Sequence, residues 1–107
     1  MKHYLYQLRP TRTEMVTVGP TADEAAVVSE HFARLEALTE QGMMLFVGRT
    51  QDNSPDTFGI VVLQAESDEA ARAIMLDDPA VRKGVMHATL FPFKIALHGQ
   101  LSEGHDE

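Results

Sequence analysis

Residues 21–48, TADEAAVVSEHFARLEALTEQGMMLFVG, hold three signals in succession: a helix start, a helix stop and a strand. Thr21 and Glu24 have the spacing of a capping box, and Asp23 adds negative charge to the first turn, where the helix dipole favours it. At about 100° per residue, Val28, His31, Phe32, Leu35 and Leu38 fall within roughly a third of the helix circumference, and Glu30, Arg34 and Ala37 fall opposite. Gly42 supplies the C-terminal stop. Residues 43–47 then form an apolar run of strand length, closed by Gly48. One side chain in the apolar stripe is out of place. His31 carries an imidazole toward the core, and such a group needs either a packing partner or a chemical task.

Working outward, residues 3–9 (HYLYQLR) alternate, with Tyr4, Tyr6 and Leu8 on one face and His3, Leu5, Gln7 and Arg9 on the other. That is strand periodicity, ended by Pro10. Residues 10–20 (PTRTEMVTVGP) read as a loop. Residues 49–57 (RTQDNSPDT) are polar and turn-rich, the composition of a hairpin connection. Residues 58–65 (FGIVVLQA) form the next strand, apolar on both faces. Ser67 is an N-cap for a second helix with Asp68 and Glu69 in its first turn, and Ala71, Ile74 and Met75 turn inward. Asp78-Pro79 interrupts that helix near Asp77, because the residue before proline avoids the helical region. A short turn restarts at Pro79 and stops at Gly84. Residues 85–97 are the last strand. Val85, His87, Thr89, Phe91, Phe93, Ile95 and Leu97 share one face, Met86, Ala88 and Leu90 the other, and Pro92 implies an edge or a bulge.

The chain has 107 residues, 44% of them apolar, and no cysteine. One domain is expected over residues 1–98, with residues 99–107 (GQLSEGHDE) as a flexible acidic tail. The absence of cysteine removes disulfides and thiol chemistry and suits a reducing, cytoplasmic setting. No apolar run reaches the roughly 18 residues of a membrane span, and MKHYLYQLRP does not read as a signal peptide. The formal net charge of −7 argues against nucleic acid, which needs a clustered basic surface.

The element order β-α-β-β-α-β is the ferredoxin-like pattern, an α+β fold in which one four-stranded antiparallel sheet carries both helices on one face. The strands after the first are apolar on both faces, yet two helices cover only one. The second face then meets either a second copy of the chain, giving a sheet-on-sheet homodimer, or the loop at residues 10–20 folded across it.

The segment HFARLEALTEQGMMLFVG resembles the first block of the YCII-related domain family: histidine, two leucines, glycine, an apolar strand, glycine. DDPAVRKGVMHATLFPFKIAL resembles its second block, an Asp-Pro followed by Gly-Val and a strand ending in Pro-Phe. The two blocks and the strand between them cover residues 3–97. The resemblance implies a dimeric α+β barrel and a site built on a histidine and an aspartate, which fall on His31 and Asp78. It also implies chemistry on small aromatic-derived molecules without metal or organic cofactor. One characterised relative removes chloride from a chlorinated hydroxyhydroquinone, and the wider superfamily includes muconolactone isomerases and cofactor-free monooxygenases. This chain departs from the family at Arg49, where proline is common, and at Ala80, where Phe or Tyr is preferred. Ala80 would leave a larger cavity, and Arg49 would bring a cation to its rim.

Both site residues also have structural readings. His31 is equally a core histidine satisfied by a carbonyl or carboxylate. Asp78 is a natural N-cap before a proline. The two readings of Asp78 are compatible, since a carboxylate held by backbone amides still accepts an imidazole N–H. Asp77 competes for the role, but the helix register and the Asp-Pro match favour Asp78. Arg9, Arg49 and His87 are candidates for substrate binding, with solvated charge or packing as the plain alternative. His3 lies on a strand, and His98 and His105 lie near the end of the chain. No histidine pair has metal-site spacing, and no nucleophile elbow or phosphate loop is present. The expectation is a lyase- or isomerase-type enzyme in which His31 moves protons and Asp78 orients it. The alternative is a non-catalytic dimeric module that binds a metabolite or a protein. The distance between His31 and Asp78, and their access to a cavity, separate the two.

Overall fold

The computed structural model describes residues 1–102; residues 103–107 of the expected tail, His105 among them, lie outside the described residues. The elements in order are β1 (Lys2–Pro10), α1 (Glu14–Thr17), α2 (Ala22–Glu40), β2 (Met44–Arg49), β3 (Gly59–Ala65), α3 (Asp68–Leu76), α4 (Pro79–Arg82) and β4 (Met86–Pro92). The four strands form one antiparallel sheet in the order β2-β3-β1-β4. This is the ferredoxin-like α+β fold.

Local chemistry sets the helix boundaries. Thr21 and Glu24 make both bonds of the capping box at the start of α2. At its end Gly42 takes a positive φ of 82°. The Met43 N–H then reaches Leu38 O, and the Gly42 N–H reaches Thr39 O, the two bonds of a Schellman stop. Gly84 ends α4 in the same way, through Val85 N–H to Ala80 O and Gly84 N–H to Val81 O. So α4, only four residues long, is pinned at both ends.

Pairing registers decide which faces are buried. Tyr4 and Tyr6 of β1 stand opposite Leu63 and Val61 of β3, and all four are buried beneath the helices with Met44, Leu35, Ala71 and Met75. Met86, Ala88 and Leu90 of β4 pack against the edge of this cluster. The opposite face carries an apolar row across all four strands: Phe46, Val62, Leu5 and Phe91 are successive cross-strand partners. Phe46 is 50% and Phe91 44% exposed. Residues 11–20 do not cover this face. They lie on the helix side, where Arg12 grips Glu24 through two bonds of 2.7 and 3.0 Å and also bonds Gly19 O.

Four expectations are corrected in detail. Residues 10–20 contain a helical turn, α1, too short for periodicity to disclose. The last strand ends at Pro92 rather than residue 97; proline lacks the donor to extend the ladder, and only Phe93 N–H to His3 O continues it. Phe32, expected inside, is 61% exposed. Arg34, expected outside, is half-buried and donates to Ile74 O at 3.2 Å. The last two errors share a cause. α2 packs against α4 along its His31 side, so its buried stripe is rotated toward Arg34 and away from Phe32.

Candidate functional site

The side chains that matter converge from three elements. His31 lies on the inner stripe of α2, one turn before Leu35. Asp78 is the N-cap of α4, with a fully buried side chain whose Oδ1 accepts the Ala80 N–H at 3.0 Å. The same oxygen lies 2.7 Å from Nδ1 of His31. Tyr6, in the middle of β1, donates its hydroxyl to Oδ2 at 2.9 Å. Burial works to raise the Asp78 carboxyl, but His31, Tyr6 and the Ala80 amide outweigh it and hold the carboxyl below its ordinary value. An ionised carboxylate only accepts hydrogen bonds, so the proton in the 2.7 Å contact belongs to Nδ1. In the neutral ring Nε2 is then the free lone pair.

His31 is 8% exposed, and that exposure opens onto a cleft of about 1050 Å³. Its floor is Leu8, Gly59 and Val61 of the sheet. One wall is Val28, His31 and Phe32 of α2, and the roof is Met15, Val16 and Pro20. Val47 and Arg49 of β2, with Asn53 and Thr57 of the following loop, close the far side. Carbon dominates this lining; the polar groups are few, and among the described residues Arg49 and Glu36 are its only fully charged side chains. The exposed Phe32 ring is therefore a cleft wall. Such a space suits a mostly apolar small molecule with a polar substituent near the imidazole.

The other candidates separate. Arg49 lines the cleft. Arg9 and His87 face each other across β1 and β4 on the outer face of the sheet, where Arg9 lies 5.3 Å over the Phe58 ring. In a single chain they are not part of the cleft. His3 pairs with Gln64 on that outer face, and His98 is exposed beyond β4. Asp77 is exposed and lies near Arg34 and Arg82. Ala80 does not line the cleft; it is buried in the core, and its contribution to the site is its amide. Tyr6 is the group that sequence reasoning missed, reading it only as sharing one strand face with Tyr4 and Leu8. Its alternation in β1 reveals that it points inward, and nothing local reveals what its hydroxyl meets. Among the described residues, no group of three or more His, Asp or Glu side chains is placed to hold a metal ion. No helix among them is long and apolar enough to cross a membrane.

Among curated proteins, no sequence match was found. Among solved structures, the fold is similar to that of 5-chloro-2-hydroxyhydroquinone dehydrochlorinase from Burkholderia phenoliruptrix AC1100, solved in complex with 2,5-dihydroxybenzoquinone. The superposition has a TM-score of 0.60 at 19% identity and covers 85% of this chain and 93% of the other. The family model of the YCII-related domain matches residues 4–94, nearly the whole span of the sheet and its helices. The chain belongs to the YCII-related domain family.

Proposed function

We propose that this chain is a small cofactor-independent enzyme in which His31 performs acid/base chemistry on a small polar or aromatic-derived molecule held in the cleft. The observation that carries the reading is the His31–Asp78 contact itself. A fully buried carboxylate grips one ring nitrogen at 2.7 Å, and the ring borders an apolar cleft. Asp78 would fix the tautomer and stabilise the imidazolium that forms when Nε2 takes a proton, as a carboxylate does for histidine in other pairs. Arg49 would contact the anionic form of the substrate from the cleft wall.

The reaction class is proton transfer coupled to elimination or isomerisation. For a chlorinated hydroxyhydroquinone the balance closes without an external oxidant. A ring hydroxyl gives up its proton while the chlorine-bearing carbon gains one, forming a ketone tautomer. A second ring hydroxyl of that tautomer then loses its proton, its O–H electrons form the new carbonyl, and chloride leaves with the electrons of the C–Cl bond, giving a hydroxyquinone. A histidine that alternately takes and returns a proton serves both steps.

Assembly completes the reading. The outer sheet face, with Phe46, Leu5 and Phe91 in one row, is the surface on which a second copy would dock, and Arg9 and His87 would belong to that interface.

The test is chloride release from 5-chloro-2-hydroxyhydroquinone and related hydroxylated ring compounds. His31→Ala should abolish turnover while circular dichroism shows the fold retained. Turnover that survives in His31→Ala refutes the role of the ring. Tight binding of these compounds without turnover by the unaltered protein supports a binding module instead.

A further inference from the structure

Asp78 has a partner that neither the helix cap nor the histidine accounts for. Tyr6 stands at the centre of the sheet, opposite Val61 on β3 and Leu90 on β4, and no part of it is exposed. Burial and then the nearby Asp78 charge push its phenol far above the ordinary range, so across neutral pH it is a fixed proton donor. The donors around the carboxylate are divided between its two oxygens. Oδ1 takes the Ala80 amide and the His31 ring, and Oδ2 takes the Tyr6 hydroxyl. A donor from the rigid middle of the sheet, on the oxygen that the amide and the ring leave open, draws off part of the negative charge that faces the imidazole.

Other charged groups around the pair are more remote. Arg34 of α2 acts on the Tyr6 phenol, opposing the upward push. Arg49 and Glu36 line the cleft that His31 borders. Lys83 beyond α4 is bound to Glu30 on the exposed side of α2, and Asp77 is directed to Arg34 and Arg82. None of these makes a hydrogen bond or ion pair with the Asp78 carboxylate.

We propose that Tyr6 is a positioning residue of this site that acts through Asp78: by bonding Oδ2 it takes up part of the carboxylate's charge and so moderates how strongly that carboxylate holds a proton on the His31 ring. The inference rests on the reading of His31 as the acid/base group, but its test is made on the resting protein and needs no substrate.

The experiment is a nuclear magnetic resonance titration of the full chain with labelled histidine, the His31 signals being identified by their loss in His31→Gln. In Tyr6→Phe the carboxylate keeps its charge with one donor fewer and attracts the imidazolium more strongly. The midpoint of the His31 titration should rise by roughly half to one pH unit. Tyr4→Phe is the control. It removes another buried phenol whose hydroxyl bonds a different carboxylate, Asp68, at 2.7 Å, and it should leave the midpoint where it was. An unmoved midpoint in Tyr6→Phe, or the same rise in both variants, overturns the proposal. Should Tyr6→Phe not fold, 3-fluorotyrosine introduced at position 6 keeps the ring and strengthens the donor. The midpoint should then fall, and no movement counts equally against the proposal. Survival of turnover in His31→Ala would instead remove the acid/base reading and leave the titration result standing.

Discussion

Replacing Asp78 by alanine strikes the one group on which cap, ring and sheet converge. The carboxylate is fully buried and accepts Tyr6 O–H at 2.9 Å, Ala80 N–H at 3.0 Å and the His31 ring at 2.7 Å. Loss of an N-cap costs about 1 kcal/mol. A buried hydroxyl left without its acceptor, here that of Tyr6, costs about 1–3 kcal/mol more. The His31 Nδ1–H loses its acceptor at the same buried position, which adds to the cost. The expected destabilisation is about 3 kcal/mol, a large part of the roughly 5–15 kcal/mol that holds a domain together. Urea unfolding followed by circular dichroism at neutral pH measures it, and Asp78→Asn, which keeps the cap and the shape, should lose about half as much.

The pH dependence sharpens this test. The folded carboxyl titrates below its unfolded value, so its stabilisation is complete above the unfolded value and disappears as pH falls through the lower, folded one. The gap between the unaltered protein and Asp78→Ala should therefore narrow in acid. A cost under about 1 kcal/mol, well short of a lost cap plus a stranded buried hydroxyl, would show that the three bonds do not hold the site together, and so would a gap that ignores pH.

Three further outcomes follow from other parts of the molecule. The Glu24 carboxyl is held down at about 2, chiefly by Arg12 and then by the Thr21 amide, so its contribution persists from neutral pH into acid and is lost only as pH falls through about 2; a carbon-13 titration of Glu24 should show its midpoint return toward the ordinary range in Arg12→Ala. Phe32, 61% exposed on the cleft wall, should tolerate alanine within about 0.5 kcal/mol of stability, while on the proposed function calorimetry should show weaker binding of the hydroxylated ring compounds assayed there. On the outer sheet face, the double change Phe46→Glu and Phe91→Glu should turn the proposed dimer into a monomer in light scattering without loss of secondary structure; an unaltered chain that is monomeric at high concentration refutes that interface.

What could be read in the sequence was what is local. The capping box at Thr21 and Glu24 and the glycine stop at Gly42 involve bonds over a few residues, and the structure forms them as the spacing implies. The alternation of Tyr4, Tyr6 and Leu8 needs only the pleat of one strand. Where an outcome depended on a neighbour, periodicity fell short. It marked the arc of α2 containing both His31 and Phe32 as apolar, but not that α4 would pack beside that arc and leave Phe32 in the cleft wall. Nor does it reveal the register shift between Met44 and Phe46, which turns Phe46 to the outer face opposite Val62. The Tyr6–Asp78 bond joins residues 72 apart, and no local pattern encodes it.

The His31–Asp78 pairing stands between these cases. Helix periodicity placed the histidine inward, and the Asp-Pro dipeptide marked a helix start; only the family resemblance brought the two together. Their geometry explains why a cap and a proton-handling partner are not rival roles for one aspartate. A carboxylate that had to swing toward an imidazole when charge developed would spend free energy on the movement, whereas one already fixed would not. Here the amide that starts α4 and the histidine of α2 share Oδ1, and the Schellman stop at Gly84 holds the far end of the same four-residue helix. The rigidity of α4 is thus transmitted to the ring through a single oxygen. Changes that loosen α4 at Gly84, remote from the cleft, should therefore disturb His31 as well as stability.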